Sequence, residues 1–346
     1  MPLIGTHGTL DRPAVHCYDA RVRPTPEQLA SLTRLERTAF RIADALATPA
    51  LTPVSANWNS VVMGALIYSC GGRRLNIHGL DNLAGYGKKD SILLVANHRS
   101  FFDFFTITAL LYWRTKLTKR IFFPVRQSFF YDHPLGPAVN FAMSGMRMFP
   151  PVMRDKEKRS FNNYSVARCI EELDRPDIGT LLGIHPEGTR NKGDDPYAFL
   201  PAQPGAGRIA LGSTRAHVIP VFVLGMGQSI PGEWRLNWLE PDEHPIDVYF
   251  GAPIDFSDLK PKANMLTAQK RASDRCLDAI KVLADLQRRD AAVREGRDPR
   301  TVVVLEKSDD AERTAAAAAK VQAAANAAAA SASAAVHESR DANHRG

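Results

Sequence analysis

No stretch of this 346-residue chain is apolar for long enough to cross a bilayer. The most lipid-like run, Val61 to Tyr68, falls well short of the roughly 20 apolar residues that a spanning helix needs. The N-terminus lacks a basic stretch followed by an apolar core, so no secretory signal is expected there. Cysteine is scarce: Cys17, Cys70, Cys169 and Cys276 are widely spaced with no C-x-x-C pair, which argues against a zinc ribbon or a disulfide framework and fits a reducing cytoplasm. Several catalytic signatures are missing too. The nearest approach to a G-x-S-x-G elbow, Gly227-Gln-Ser229-Ile-Pro231, lacks its second glycine. Beside Gly87-Lys88, a P-loop would need glycine at Asn82 and Ser or Thr at Lys89, and there is no H-E-x-x-H pair. No fixed-period repeat is present.

What is present describes a folded enzyme-sized chain. A hydrophobic content of 45% with 23% charged residues is that of globular domains, and the length allows one large domain or two ordinary ones. The formal charge of +7 favours an anionic partner: a phosphate-bearing substrate, an acidic membrane surface or nucleic acid. Charge alone does not choose among them.

Organisation follows from periodicity. Residues 1–26 hold scattered prolines and read as an irregular leader. Thr25-Pro26 then starts an amphipathic helix over Glu27–Ala47, and a second apolar helix spans Trp58–Tyr68 with aromatic rings at both ends; residues 27–72 can rest on a membrane or pack on the core. From residue 73 to 288, strand-like runs (74–79, 91–96, 121–125, 147–152, 180–184, 218–224, 247–250) alternate with helical ones (102–113, 136–143, 165–173, 205–213, 266–286). That rhythm predicts an α/β domain with a mixed, largely parallel central sheet flanked by helices. Pro220 is expected on an edge strand. Residues 289–346 form a tail, alanine-rich from Ala315 to Ala335, with too few large apolar residues to hold a core.

Two constellations can carry chemistry. In Val95-Ala-Asn-His98-Arg-Ser100-Phe-Phe-Asp103 a strand ends on a histidine, with an aspartate five residues on at the start of a helix. Positions i and i+5 lie about 140° apart on a helix, so the pair meets only if His98 sits in the preceding loop, which Ser100 as N-cap permits. A carboxylate on one imidazole nitrogen leaves the other free as a general base. The bland alternative is a capping box, Ser100-x-x-Asp103. Further on, His185-Pro-Glu187-Gly188-Thr189-Arg190 follows a buried strand, where ligands of such sheets bind; glycine admits close approach and arginine matches phosphate oxygens. Of the basic loop that follows Arg147, Arg154 is the best placed for an anion.

In combination these pieces resemble the glycerolipid acyltransferase superfamily, whose bacterial members include the 1-acylglycerol-3-phosphate acyltransferases. Asn97-His98-Arg-Ser100-Phe-Phe-Asp103 matches the N-H-x-S-x-x-D block and Pro186-Glu187-Gly188-Thr189-Arg190 the P-E-G-T-R block. The stretch ending at Arg154 and Val218-Ile-Pro220-Val221 are looser matches to two further blocks. The resemblance covers about residues 75–255. It implies that His98 is the base and Asp103 orients it, while Arg154, Glu187 and Arg190 hold the phosphate-bearing acceptor, Gly188 allows close backbone approach and Thr189 belongs to the same block. It implies acyl transfer from acyl-CoA or an acyl carrier protein to 1-acylglycerol 3-phosphate, giving phosphatidic acid in phospholipid biosynthesis. No metal, cofactor or covalent acyl-enzyme is implied, and the expected place is peripheral, on the cytoplasmic side of a membrane. Two positions depart from the pattern: His185 stands where an aromatic residue is usual, and Arg99 is commoner in the branch that acylates glycerol 3-phosphate. Glycerol 3-phosphate or another lysolipid is thus the alternative acceptor. A non-catalytic lipid- or nucleic-acid-binding protein would need neither the dyad nor the later block; nucleic acid is not an expected partner.

Overall fold

In the computed structural model, which describes residues 21–305, the chain opens with α1 (Pro26–Ala30) and α2 (Arg34–Leu46). The single helix expected over residues 27–47 is broken at Ser31-Leu32-Thr33. Thr33 begins a second capping box: its hydroxyl accepts from the Glu36 N–H while the Glu36 carboxylate accepts from the Thr33 N–H. α2 belongs to the core, with the Phe40 ring against Phe149, Phe161 and Tyr164. A near-continuous helical stretch follows: α3 (Thr52–Asn57), a π-helical turn over Trp58–Met63, and α4 (Gly64–Gly71). Nearly all of the expected leader, residues 1–20, and the alanine-rich tail beyond residue 305 lie outside the described residues.

The α/β part runs β1 (Leu75–His78), β2 (Ser91–Ala96), α5 (Asp103–Arg114), β3 (Ile121–Phe122), β4 (Val125–Arg126), α6 (Gly136–Ser144), β5 (Pro151–Val152), α7 (Arg159–Asp174), β6 (Leu181–Ile184), α8 (Pro204–Gly212), β7 (Ala216–Leu224), α9 (Ile230–Leu239), β8 (Ile246–Phe250) and α10 (Leu266–Arg294). Six strands form one sheet in the order β1-β8-β7-β2-β6-β3, parallel except where β7 meets β8. This is the largely parallel, helix-flanked sheet that the alternation implies. β2 lies inside it and is buried at every residue. Leu93 and Val95 face the cluster built with α2, α7 and α8, while Ile92, Leu94 and Ala96 face the one built with α4 and α5.

Several boundaries differ from the sequence reading, each for a local reason. Pro124 splits the run at 121–125, so β3 stays in the main sheet while β4 leaves it to pair with β5. The strand expected over 147–152 shrinks to Pro151–Val152 behind Pro150. β7 is interior rather than an edge. Pro220 is tolerated because its carbonyl, accepting from the Gly251 N–H, faces the side where β8 has already ended, so no ladder partner lacks a donor. α10 continues eight residues past the expected Leu286 and ends on Arg294, which pairs with Asp247 of β8. α9 has no counterpart in the sequence reading, although Ser229 caps it through the Gly232 N–H and Pro231 sits in its first turn.

Candidate active site

The site stands beyond the carboxyl ends of β2 and β6. These strands pair in register, Val95 beside Ile184, so the chain leaving β2 reaches His98 beside the His185 that follows β6. Asn97 and Ser100 secure the loop between them. The Asn97 amide both donates to the Val223 carbonyl and accepts from its N–H, and the Ser100 hydroxyl donates to the Gly227 carbonyl. The structure therefore divides the motif: Asn97 and Ser100 hold backbone, leaving His98 and Asp103 to face one another.

Asp103, at the first residue of α5, is buried. Its Oδ2 lies 3.2 Å from His98 Nδ1 and accepts from the Arg99 and Ser100 N–H groups, each at 2.8 Å. Half of the capping box is thus real and coexists with the dyad, though Ser100 lies two residues ahead of the helix cap at Phe102. With Nδ1 committed to Asp103, Nε2 of His98 is the unoccupied nitrogen, on a residue that lines the cavity. Burial, then the cationic Arg190 and Arg126, push the His98 pKa down to about 4, keeping the imidazole neutral. Burial pushes Asp103 up to about 7, against the pull of the His185 ring and the backbone N–H groups.

His185 stacks on His98, centroids 3.8 Å apart and planes within 5°, with Phe104 against its other contacts. Its Nδ1 is 2.9 Å from the Ala96 carbonyl, the geometry of a donated bond, and burial pushes its pKa down to about 3. The departure from an aromatic residue at this position thus keeps an aromatic surface under the histidine.

The second block is distributed over distinct tasks. Glu187 is buried, with Oε1 accepting from the His98 N–H at 3.1 Å and Oε2 from the Leu200 N–H at 2.8 Å; it braces the histidine loop. Gly188 has φ +66°, a conformation favouring glycine, and its carbonyl accepts from both Arg126 and Arg154 at 3.4 Å. Thr189 and Arg190 line the cavity, and Arg190 donates to Gln228 Oε1 at 2.6 Å. Two residues escaped the sequence reading. Arg126 joins Arg154 and Arg190 at the cavity wall, signalled only by a lone arginine after an apolar strand run. Gln228, just ahead of α9, ties Arg190 to the Phe101 N–H and the Arg99 carbonyl.

The cavity measures about 750 Å³. His98 and the cations Arg126, Arg154, Arg190 and Lys192 are among its lining residues. Phe101, Phe105, Phe123, Phe130 and Met148 line one apolar part, and Val152, Val166, Cys169, Ile184 and Ile209 another. Such a space accepts a long apolar chain whose polar head meets positive charge and a base. Among the described residues, His98, Asp103 and His185 have atoms close enough to share a metal, but each already holds hydrogen bonds that a metal would displace. The other such group, Glu240, Glu243 and His244, is on the surface. Cys70, Cys169 and Cys276 are buried and free.

Residues 74–224 match the family model described as Acyltransferase, and no curated protein matches the chain. The matched span contains His98, Asp103, Arg126, Arg154 and the whole 185–190 turn, in keeping with the resemblance to the glycerolipid acyltransferases. Residues 74–224 are thus similar to the acyltransferase family, which supports an O-acyltransferase enzyme in general terms.

Proposed function

We propose that the protein transfers a fatty acyl group from acyl-CoA or an acyl carrier protein to the free hydroxyl of 1-acylglycerol 3-phosphate, forming phosphatidic acid. The observation that carries this reading is a neutral, carboxylate-held imidazole that shares a cavity of about 750 Å³ with three arginines and many apolar side chains. His98 Nε2 takes the hydroxyl proton as that oxygen attacks the thioester carbonyl. The new O–C bond forms, the C–S bond breaks, and the carrier thiolate takes the proton back from the imidazolium. Transfer is direct, with His98 a base rather than a nucleophile. Asp103 fixes the tautomer, Arg126, Arg154 and Arg190 receive the phosphate, and Glu187 and His185 act by holding His98 in place. Arg99 keeps glycerol 3-phosphate as the alternative acceptor.

The test supplies acyl-CoA, or acylated carrier protein, with 1-acylglycerol 3-phosphate or glycerol 3-phosphate and identifies the lipid product. The first acceptor is expected to be preferred, and Arg126→Ala and Arg154→Ala each to raise its KM by about 10- to 100-fold, the worth of a charge-assisted hydrogen bond, with a smaller effect on kcat. No product from either donor and acceptor would overturn the reading.

A further inference from the structure

The stretch Gly227-Gln228-Ser229-Ile-Pro231 fails as a nucleophile elbow, yet its glutamine reaches the site. Gln228 lies beyond the span that matches the acyltransferase model and is exposed, so core packing does not account for the three hydrogen bonds of its amide. Its Oε1 accepts from Arg190 Nη1 at 2.6 Å and from the Phe101 N–H at 3.2 Å, while its Nε2 donates to the Arg99 carbonyl at 3.2 Å. Two donors meet the oxygen and an acceptor meets the nitrogen, so a single setting of the amide serves all three partners. A carboxylate in its place would set an oxygen against the Arg99 carbonyl and offset the charge of Arg190.

The segment that carries Gln228 is itself held. The Gly227 carbonyl accepts from the Ser100 hydroxyl at 2.7 Å, and the Ser229 hydroxyl caps α9 by accepting from the Gly232 N–H. Glu233, in the first turn of α9 and buried, pairs at 2.8 Å with the buried Arg74, which also donates to the Gly225 carbonyl at 3.1 Å. A Cβ at Gly227 would come within 2.5 Å of the Glu233 carboxylate, so the turn lies close against the helix. The amide is therefore presented from a braced turn.

Arg190 lines the cavity, and with Nη1 on Gln228 its Nε and Nη2 make no hydrogen bond to a described residue. Those two nitrogens form one edge of the guanidinium, an edge that can meet two oxygens of a phosphate at once. A free arginine must give up rotamer freedom to present that edge, whereas one already held at Nη1 has given it up before the ligand arrives. Because Gln228 is neutral, the full charge of Arg190 stays available to the ligand.

We infer that Gln228 is a positioning residue for phosphate recognition, holding Arg190 so that its Nε and Nη2 edge meets the phosphate of the acceptor in the cavity. The identity of that acceptor rests on the acyl-transfer reading.

The test is a double-mutant cycle of the full chain: native, Gln228→Ala, Arg190→Met and the double variant, each checked for folding by circular dichroism. Titration calorimetry with glycerol 3-phosphate and no acyl donor reads binding of the phosphate headgroup without turnover, and steady-state kinetics with acyl-CoA and 1-acylglycerol 3-phosphate read KM and kcat. Gln228→Ala is expected to weaken glycerol 3-phosphate binding and raise the acceptor KM by about tenfold, with kcat changed by less than about threefold. In the Arg190→Met background the same substitution should change either quantity by less than about twofold, since no guanidinium remains to be oriented. An equal loss in both backgrounds, or a loss confined to kcat, would show that Gln228 acts through the Phe101 and Arg99 backbone on the histidine loop and would overturn the inference. So would a native protein that binds no glycerol 3-phosphate. Binding that follows the cycle in a protein that transfers no acyl group would uphold the role of Gln228 and defeat the acyl-transfer reading instead.

Discussion

At neutral pH the His98 imidazole is uncharged because burial and the nearby Arg190 and Arg126 cations disfavour a further positive charge. The same Arg190 charge pulls Asp103 downward, so His98 and Asp103 titrate as a pair that Arg190 holds below its unassisted range. Removing that cation raises both. The acid limb of kcat/KM, where protonation of the pair abolishes the base, is therefore expected to move to higher pH in Arg190→Met; a profile that stays in place, or moves lower, would show that Arg190 does not act on the dyad. Asp103→Asn should lower kcat by at least about 100-fold while leaving the acceptor KM little changed, because an amide can present N–H to Nδ1 and stabilise the wrong tautomer. At this scale the dyad was legible in the sequence, since His98 and Asp103 straddle a single strand-to-helix turn. Arg126 and Gln228 were not, because the fold brings them in from β4 and from the loop ahead of α9, about 30 and 130 residues from the histidine.

Among the elements, the 185–190 turn carries the tightest constraint. Gly188 sits at φ +66°, and a Cβ there would come within 3.0 Å of the Gln203 side chain. Gly188→Ala is expected to cost about 1–2 kcal/mol of stability and to shift the carbonyl that holds Arg126 and Arg154, raising the acceptor KM; thermal melting and steady-state kinetics measure the two effects separately. Thr33→Ala should cost about 1 kcal/mol through the lost cap of α2 and leave kinetics unchanged. Hydrophobic period fixed the type of nearly every element, whereas the ends went to local chemistry: Pro124 and Pro150 cut strands short, and the Thr33-x-x-Glu36 box divided a helix whose apolar spacing reads as continuous. α9 was missed because its only signals, Ser229 and Pro231, precede a segment with little amphipathic period.

Across the whole molecule, closure of the sheet depends on α10. Asp247 of β8 accepts from Arg294, Gln287 and Asn76; burial draws its carboxyl upward, but these bonds prevail and hold it below the ordinary range. A carboxyl lowered on folding contributes stability that is present above its unfolded pKa and lost as pH falls through the folded one. Arg294→Met is therefore expected to lower the melting temperature at pH 7, with the difference shrinking as pH falls below the ordinary carboxylate range and through the lowered Asp247 pKa; a constant difference would assign the effect to packing. Strand order was not legible. Alternating elements imply a parallel sheet, but nothing local says that β8 turns back against β7 or that Pro220 lies in the interior, where Val95 of β2 pairs with it from 125 residues away.

Turnover by the full chain ties these scales to one atom pair. The direct test compares the initial rate of acyl transfer from acyl-CoA to 1-acylglycerol 3-phosphate for the native protein and for His98→Ala, with circular dichroism to establish that both are folded. A positioned general base contributes about 10² to 10⁴-fold, so the variant should fall by that factor while still binding the acceptor. A folded His98→Ala protein that turns over at the native rate would contradict the assignment of His98 as the base.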